Sequence, residues 1–426
     1  MLMYIKLLRF YDHIRRCERL DPGKLQKINF ERIKKLAIYA YENVDYYREL
    51  YDQNHFDPHG LSAIDDLALL PVVEKNHFRG TPAEKRTSRV FKDRKIEELT
   101  TSGSTGQPLI FYTDRYEMSQ QTLKWVYVLR KYGYRPTDNL VQLYRPLASA
   151  NRNFIQNLGL FRRKIISIFD SMDNIIDEFE NTEIDVLSGL KSSLLIFGEE
   201  LHRRNIEIRP KFLATTGEVL TANDRKLLSK YYDARTVNIY ASAETGNIAF
   251  DCPECDYMHI HSDSIFINTH RSREGVYITS LENHVTPIIN YNLGDRIVHL
   301  DDFECGCGSK LPLIQNVIGR EDDIVISSSG RKFNTQYLWA KLKFMEDYID
   351  QYKIVQREDR SITLKLKLNT TLGSEELTGI INTIRKNYSE VIGPDGLVIE
   401  FVDSIPVEKS GKIRVVENEY LKHIDG

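Results

Sequence analysis

The sequence contains no apolar run that approaches the ~18 residues a membrane-spanning helix needs. The opening stretch Met1–Lys6 becomes charged within a turn or two and offers no signal-peptide core, so we expect a cytoplasmic protein without membrane insertion. Lysine and arginine form no long block, and a formal net charge of −3 gives no electrostatic reason to expect nucleic acid or an anionic membrane as the main partner. The sequence also shows no internal repeat and no low-complexity segment.

Cysteine is scarce, but four of the five cysteines form two tight pairs. Cys252-Pro253-Glu254-Cys255 and Cys305-Gly306-Cys307-Gly308 place thiols at a spacing that suits a tetrahedral structural zinc, with Pro or Gly to bend the backbone. Such pairing indicates a metal in a reducing compartment rather than a disulfide framework. Four free thiols are the alternative interpretation, and Cys17 is expected to be a lone thiol.

The length of 426 residues predicts two or three domains, and 41% apolar with 28% charged residues is ordinary for a soluble globular protein. Helical spacing of apolar residues runs from Leu7 to about Leu50, where the five tyrosines of Tyr39–Tyr51 are expected to be packing residues. A turn is predicted at Asp57–Gly60, and a further helix covers Met118–Leu129. Between 139 and 185, apolar runs alternate with polar breaks, as in an α/β domain.

The pattern changes after Arg320. Strands are predicted at Tyr352–Val355, Ile362–Leu368 and Leu397–Val402, with a helix at Glu375–Tyr388 between the last two. We therefore predict a large N-terminal domain at 1–320, with mixed sheets and helices, and a small α+β domain at 321–426.

A loop rich in glycine and hydroxyl groups follows residue 100. Its glycines let the backbone approach a ligand closely, its side chains can donate to phosphate oxygens, and successive backbone N–H groups can bind an anion. No lysine follows Gly106, so the P-loop pattern is not met, and a flexible linker is the alternative. The apolar segments Ile96–Leu99 and Leu109–Tyr112 on either side resemble buried strands and favour a phosphate clamp. The loop residues are Thr101, Ser102, Gly103, Ser104, Thr105 and Gly106.

Three predicted strands end in small, hydroxyl or acidic residues. Ile184–Leu187 leads into Ser188-Gly189, Phe212–Thr216 into Gly217-Glu218, and Val237–Tyr240 into Ala241-Ser242-Ala243-Glu244. Because ligands of α/β sheets collect at the carboxyl ends of strands, these three ends are candidates for one site.

Six motifs in this order resemble the adenylate-forming (acyl-AMP) ligase superfamily, in the branch of phenylacetate–CoA ligase and the CapK-like proteins. The resemblance covers Leu36 through Arg414 and implies a small C-terminal domain that is mobile, with Asp322 at the hinge position. The motifs are Thr101–Gly106, Gly217-Glu218, Tyr240–Glu244, Tyr291–Asp295, Ile318–Arg320 and Ser410–Lys412.

The resemblance implies a reaction in which a carboxylate attacks the α-phosphate of ATP, giving an acyl-adenylate and pyrophosphate. Ser102, Ser104 and Thr105 would hold the leaving phosphates, and Glu244 would ligate Mg²⁺. Positioning and charge neutralisation dominate such phosphoryl chemistry. The other implied nucleotide-binding residues are Thr101, Gly103, Gly106, Gly217, Glu218, Tyr240 and Ala241.

The resemblance also assigns three charged residues near the nucleotide. Asp295 would accept the ribose hydroxyls, Arg320 would assist at the ribose or phosphate, and Lys412 would be the catalytic ammonium at the α-phosphate. Considered singly, Asp295 reads as a turn aspartate, Lys412 as a solvated lysine and Arg320 as half of a local ion pair.

Two departures from the family pattern stand out. Ala243 occupies the place where relatives carry Thr or Ser before the metal-binding Glu, and the segment around Tyr144–Asp170, where the acyl pocket is expected, matches poorly. The resemblance also adds His259 to the zinc candidates, which leaves five residues for four places, with the four cysteines slightly favoured.

The implied function is ATP-dependent activation of a small carboxylic acid, with transfer to CoA, a carrier protein or an amine. The implied cofactors are ATP, Mg²⁺ and structural Zn²⁺, with CoA as a candidate. A homodimer is a candidate oligomeric state. The alternative is a degenerate homologue that binds nucleotide or a partner without turnover, which Ala243 favours while Glu244, Asp295 and Lys412 oppose it.

Overall fold

The computed structural model describes residues 2–100, 109–144, 154–270, 272, 275–300, 303–320, 324–327, 329–334, 337–338, 341–368, 372–392, 396–406 and 414–420. Among the described helices, none combines the length and apolar character that a membrane crossing requires. The helices are α1 Leu2–Cys17, α2 Pro22–Asn43, α3 Asp45–Gln53, α4 Lys75–Gly80, α5 Ala83–Arg86, α6 Arg115–Lys131, α7 Phe154–Asn157, α8 Met172–Glu180, α9 Lys191–Arg203, α10 Ala222–Tyr232 and α11 Ser374–Ile392.

The helical N-terminal region was predicted correctly but is divided into three helices. Asp21 begins α2 because its carboxylate accepts the backbone N–H of Gly23 at 3.1 Å, and Pro22 fits the first helical turn. The predicted packing role of the tyrosines is confirmed, since Tyr46, Tyr47 and Tyr51 are buried in one core beneath these helices.

The strands begin with a hairpin around the glycine-hydroxyl loop, in which Thr100 pairs with Ile110 across two antiparallel strands. The segment Leu109–Tyr112, predicted to be buried, is half-buried, because Leu109 and Phe111 face the core while Ile110 and Tyr112 are partly exposed. The segment Glu97–Thr100 before the loop is mostly exposed, contrary to the prediction of a buried strand there. The strands are β1 Glu97–Thr100, β2 Ile110–Thr113, β3 Leu140–Tyr144, β4 Arg163–Ser167, β5 Val186–Gly189, β6 Phe212–Thr216, β7 Arg235–Ser242, β8 Gly246–Asp251, β9 Met258–Ile260, β10 Ile265–Ile267, β11 Gly275–Ser280, β12 Tyr291–Leu300, β13 Leu313–Arg320, β14 Ile324–Ile326, β15 Lys332–Asn334, β16 Ile349–Gln356, β17 Ile362–Leu368, β18 Leu397–Phe401 and β19 Val416–Asn418.

Most of these strands form one mixed sheet. In the described part of the chain it has 11 strands in the order β10-β11-β12-β13-β9-β8-β7-β6-β5-β3-β4. Strands β7, β6, β5, β3 and β4 run parallel, and the strands from β7 to β10 pair antiparallel. The parallel half is covered on both faces, because Phe212 packs with α1 and α6 while its neighbour Leu213 packs with α8 to α10. The α/β prediction is confirmed.

The C-terminal part has its own sheet and core. Its four described strands lie in the order β18-β17-β16-β19, and α11 packs on them through Ile384 and Tyr388. The predicted small α+β module is thus confirmed as an arrangement of elements. Lys367 on β17 contacts Glu199 of α9 at 2.6 Å, and Asn223 of α10 donates to the carbonyl of Ile349 at 3.4 Å, so this sheet lies against the helices of the larger one.

Candidate active site at the carboxyl ends of the parallel strands

The three predicted strand ends lie side by side. Strands β5, β6 and β7 are adjacent and parallel, so Gly189, Thr216 and Ser242 end at one edge of the sheet. Gly217 adopts a φ of +81°, a conformation that glycine adopts without strain, and turns the chain away from β6. The convergence that the sequence suggested is confirmed in the backbone.

Glu244 is the buried carboxylate of this edge. It follows β7, and only 4% of its surface is exposed. The hydroxyl of Tyr291 donates to its Oε1 at 3.3 Å, and the ammonium of Lys75 lies 3.2 Å from the same oxygen. Its backbone carbonyl accepts from the Asn283 amide at 2.9 Å. A carboxylate taken out of water needs such partners to stay charged, and this one is held in place by a cation and a hydroxyl.

Lys75 was not foreseen, because a single lysine in a polar turn gives no sequence signal. Its placement follows from the segment before it: Val73 forms a parallel bridge with Tyr291, and Asn292 donates its backbone N–H to the Val73 carbonyl at 3.0 Å. This short strand-like contact along β12 puts the first residue of α4 beside Glu244. A Pro-Val-Val run ahead of a lysine was the one available hint.

A second carboxylate, Asp295, lies further along β12. The Tyr240 hydroxyl donates to its Oδ2 at 2.6 Å, which ties β12 to the end of β7. Asp295 also stands opposite Arg320 in the β12–β13 register, although the Arg320 side chain is outside the described residues. Two residues predicted to bind the nucleotide, Tyr240 and Asp295, are therefore in direct contact.

Glu218 performs a structural task that the sequence did not suggest. Its Oε2 accepts the backbone N–H of Ser192 at 2.8 Å, so the carboxylate caps the positive end of α9. The neighbouring Lys191 is largely enclosed; burial disfavours its charge, but Asp224 and Glu218 outweigh that penalty and raise its pKa. Gly217 and Glu218 thus anchor the helix that follows β5 at the same edge of the sheet.

The glycine-hydroxyl loop, Thr101–Gly106, lies outside the described residues, as do Asp322 and Lys412. The described strand that follows the loop is held by Arg86, a buried arginine whose guanidinium donates to the Ile110 carbonyl at 2.7 Å. Arg86 stacks over the Phe78 ring at 4.7 Å, and Phe78 packs edge-on against Tyr291. The base of the loop is therefore connected to the residue that contacts Glu244.

The two cysteine pairs converge with His259 on one point. The ligand atoms of Cys252, His259, Cys305 and Cys307 all lie within 4.8 Å of one another. The Sγ of Cys255 lies outside that group but is 3.5 Å from the Sγ of Cys305. The structure thus groups three cysteines and the histidine more tightly than the four cysteines that were slightly favoured.

The surroundings of the cluster suit a metal. The His259 Nδ1 lies 3.2 Å from the Leu311 carbonyl, which orients Nε2 toward Cys307 at 3.3 Å. Burial lowers the pKa of His259, which keeps its imidazole neutral. Burial opposes ionisation of Cys305, but the backbone N–H of Cys307 and hydrogen bonds from the other thiols lower its pKa. A neutral imidazole and a stabilised thiolate are the forms that bind zinc.

Comparison with known proteins identifies similar sequences and a similar fold. Residues 325–419 match the CapK C-terminal domain. The chain is 21% identical to the protein CapK of Staphylococcus aureus over 96% of its length and 92% of that protein. It is 24% identical to the phenylacetate–coenzyme A ligase of Thermus thermophilus over 81% of each chain. The crystal structure of 2-hydroxyisobutyryl-CoA ligase in its postadenylation state matches with a TM-score of 0.79 at 18% identity, covering 96% of this chain and 93% of that one. The chain therefore has the adenylate-forming ligase fold and is similar in sequence, over most of its length, to CapK and to phenylacetate–coenzyme A ligase.

Proposed function

We propose that this protein activates a small carboxylic acid with ATP, forming an acyl-adenylate and pyrophosphate, and passes the acyl group to CoA or to another thiol or amine acceptor. The observation that carries the proposal is the buried Glu244 carboxylate at the carboxyl end of β7, held by Lys75 and Tyr291 beside the Tyr240–Asp295 pair. Relatives named as coenzyme A ligases support the acid–thiol ligase class and leave the acid itself open.

Glu244 is the proposed Mg²⁺ ligand, because a carboxylate in a polar pocket is the ligand that this hard cation prefers. Bound there, the ion would neutralise phosphate charge. Lys75 would hold a second positive charge at the same place, where a triphosphate needs neutralisation. The burial of Glu244 strengthens these interactions, because little water is available to screen them.

The nucleoside end would be held by Asp295. Its carboxylate can accept two ribose hydroxyls, and the Tyr240 hydroxyl fixes its orientation before ATP arrives. Arg320 is proposed beside it on the strength of the strand register. Thr101–Gly106 are proposed to hold the phosphates from the loop whose base Arg86 fixes, and Gly217, Glu218 and Ala241 to line the nucleotide at the strand ends.

The C-terminal part is proposed to be a separate mobile domain that begins at residue 321, directly after β13, with Asp322 as the hinge and Lys412 as its catalytic ammonium. A structural zinc is proposed at the cysteine cluster. Cys252 follows β8, His259 lies on β9, and Cys305 and Cys307 precede β13, so one ion would tie together three strands of the sheet. No ligand position there is needed for the reaction, and the role is to stabilise the sheet.

The second candidate is a nucleotide-binding homologue without turnover. Ala243 favours it, because the hydroxyl that relatives carry before the metal-binding carboxylate is missing. The contacts of Glu244 and Asp295 oppose it, since both carboxylates are held by hydroxyl donors at the strand ends where a nucleotide would bind.

ATP–pyrophosphate exchange with a panel of aryl, fatty and amino acids tests the proposal. We expect exchange with one class of acid, and its loss in Lys412→Ala and Glu244→Gln, each checked by circular dichroism for an intact fold. Removing one preorganised charge of this kind typically lowers the rate by about 10²–10³-fold. ATP binding without exchange for every acid would support the non-catalytic alternative.

A further inference from the structure

The zinc cluster has one thiol more than a tetrahedral site can use. Cys252, Cys305, Cys307 and His259 already supply four ligand atoms within 4.8 Å of one another. Cys255 is the fifth candidate, partly exposed, with its Sγ 3.5 Å from that of Cys305. A structural zinc takes four ligands and leaves no open position. Cys255 is therefore a free thiol in contact with a ligand thiolate.

We propose that Cys255 is an oxidation site, at which peroxide forms a Cys255–Cys305 disulfide that releases the zinc. This inference rests on the proposed zinc site. Zinc binding weakens the ligand thiolates as nucleophiles toward peroxide from solution, so Cys255 reacts first. Cys305 then attacks despite the cation because its Sγ lies only 3.5 Å from that of Cys255. A solvent-accessible thiol beside a second, resolving cysteine has the geometry in which oxidation ends at a reversible disulfide.

The chemistry balances with a hydroperoxide as the oxidant. The Cys255 thiolate attacks one oxygen of hydrogen peroxide, the O–O bond breaks, and hydroxide leaves as water, giving a sulfenic acid. The Cys305 thiolate then attacks that sulfur, the S–S bond forms, and the S–O bond breaks with loss of a second water. Two thiols are oxidised to a disulfide and one peroxide is reduced to two waters.

The geometry allows the second step. A disulfide has a sulfur–sulfur distance of about 2.05 Å, so the two Sγ atoms at 3.5 Å need to approach by only about 1.5 Å. Forming the bond removes Cys305 from the zinc and leaves three ligands.

The consequence reaches the active site through β8. This strand starts at Gly246, directly after the Glu244–Thr245 turn, and ends at Asp251, the residue before Cys252. Loss of the ion frees that end of β8 and the partner strands β9 and β13, the last of which pairs with the β12 segment that carries Asp295. Oxidation would thus loosen the strands that position both carboxylates.

Two variants with opposite expected effects test the proposal in the full-length, zinc-loaded protein. Cys255→Ser should bind zinc like the wild type but lose peroxide-triggered release, and His259→Ala should lose zinc. Zinc release is followed with a chromogenic chelator, and peptide mass spectrometry detects the Cys255–Cys305 linkage as a loss of two hydrogens. Cys17→Ser is the control, because Cys17 is buried, does not belong to the cluster, and has a pKa that burial raises to about 12.

The expected result is severalfold slower zinc release in Cys255→Ser than in the wild type and in Cys17→Ser, with the linkage absent. Equal release in Cys255→Ser, or a disulfide between other cysteines, overturns the inference while leaving the zinc site intact. Zinc binding that needs Cys255 but not His259 overturns it as well, because Cys255 would then be a ligand. A wild-type protein without zinc contradicts the proposed zinc site itself, and its metal content is measured first.

Discussion

The contact between Lys75 and Glu244 makes the sharpest prediction. Substituting Lys75 by Met keeps most of the side-chain volume but removes the Lys75 ammonium from the Glu244 carboxylate, which is 4% exposed. A buried carboxylate that loses its partner retains its desolvation penalty and loses the compensating attraction. We therefore expect Lys75→Met to destabilise the protein and Glu244→Gln to restore stability when added to it, because an amide carries no charge to compensate.

The magnitude follows from burial. Removing one partner of a fully buried ion pair costs about 3–5 kcal/mol, and an exposed pair contributes less than about 1 kcal/mol. Glu244 belongs to the first class, but 27% of the Lys75 side chain is exposed and part of its effect is screened by water. We expect a loss of roughly 1–2 kcal/mol. With an unfolding entropy near 2.1 cal/mol/K per residue, a cooperative unit of about 320 residues then melts about 2 °C lower.

Lys85 is the matched control. It pairs with Glu49 at 2.9 Å, which is shorter than the 3.2 Å between Lys75 and Glu244, but Lys85 and Glu49 are each about half exposed. Lys85→Met should leave the melting temperature unchanged. Calorimetry gives the melting temperatures of the wild type, Lys75→Met, Glu244→Gln and the double variant, with Lys85→Met measured beside them. Equal effects of the two lysine substitutions, or no rescue by Glu244→Gln, would refute the argument that burial decides the strength of this contact.

Three further predictions concern other contacts. Tyr240→Phe removes a hydrogen bond to the Asp295 carboxylate, so the KM for ATP in pyrophosphate exchange should rise roughly 3–10-fold, and an unchanged KM would disconnect Asp295 from the nucleotide. Lys124 is fully buried, and burial lowers its pKa from 10.5 to about 8. Between pH 8 and 10.5 the unfolded chain therefore binds more protons than the folded protein, and the free energy of unfolding should rise with pH there by up to about 3 kcal/mol. Lys124→Met should abolish that rise in denaturation curves without lowering stability at pH 7; a rise that persists would place its origin elsewhere. Lys367→Met removes the 2.6 Å contact with Glu199 of α9 and should speed proteolytic cleavage between the two sheets, whereas cleavage at the wild-type rate would show that this contact does not dock them.

The sequence predicted those features that depend on local pattern. The strand ends at Thr216 and Ser242 follow from apolar runs that stop at small and polar residues, and the C-terminal module follows from alternating runs and one amphipathic helix. The pairing of Cys252 and Cys305 was likewise readable from spacing, because two knuckles imply a common ion. Each of these signals lies within a short stretch of chain.

What the sequence could not predict depends on contacts between distant segments. Lys75 and Glu244 are far apart in the chain, and the bridge between Val73 and Tyr291 that joins them leaves no periodic trace. The sequence also could not decide whether His259 or Cys255 is the fourth ligand, because both lie close to Cys252 in the chain. The pairing of β9 with β13 brings His259 next to the second cysteine pair, and the ligand atom of His259 lies within the tight group. The four cysteines were slightly favoured from their paired spacing, and the structure groups His259 with Cys252, Cys305 and Cys307 more tightly.

The segment from Val73 to Arg86 shows how such long-range placement can organise a site. Lys75 contacts the proposed metal ligand, Phe78 packs against Tyr291, and Arg86 fixes the strand that leaves the proposed phosphate loop. All three contacts come from two short helices, α4 and α5, that have no recognisable motif and little intrinsic stability. Their fixed position must therefore come from tertiary contacts, such as the buried Phe78 and the two carbonyl hydrogen bonds of Arg86. This segment touches β12, which carries Asp295, and the β1–β2 hairpin beside the glycine-hydroxyl loop. A displacement of the segment would therefore move the proposed magnesium site and the proposed phosphate site together.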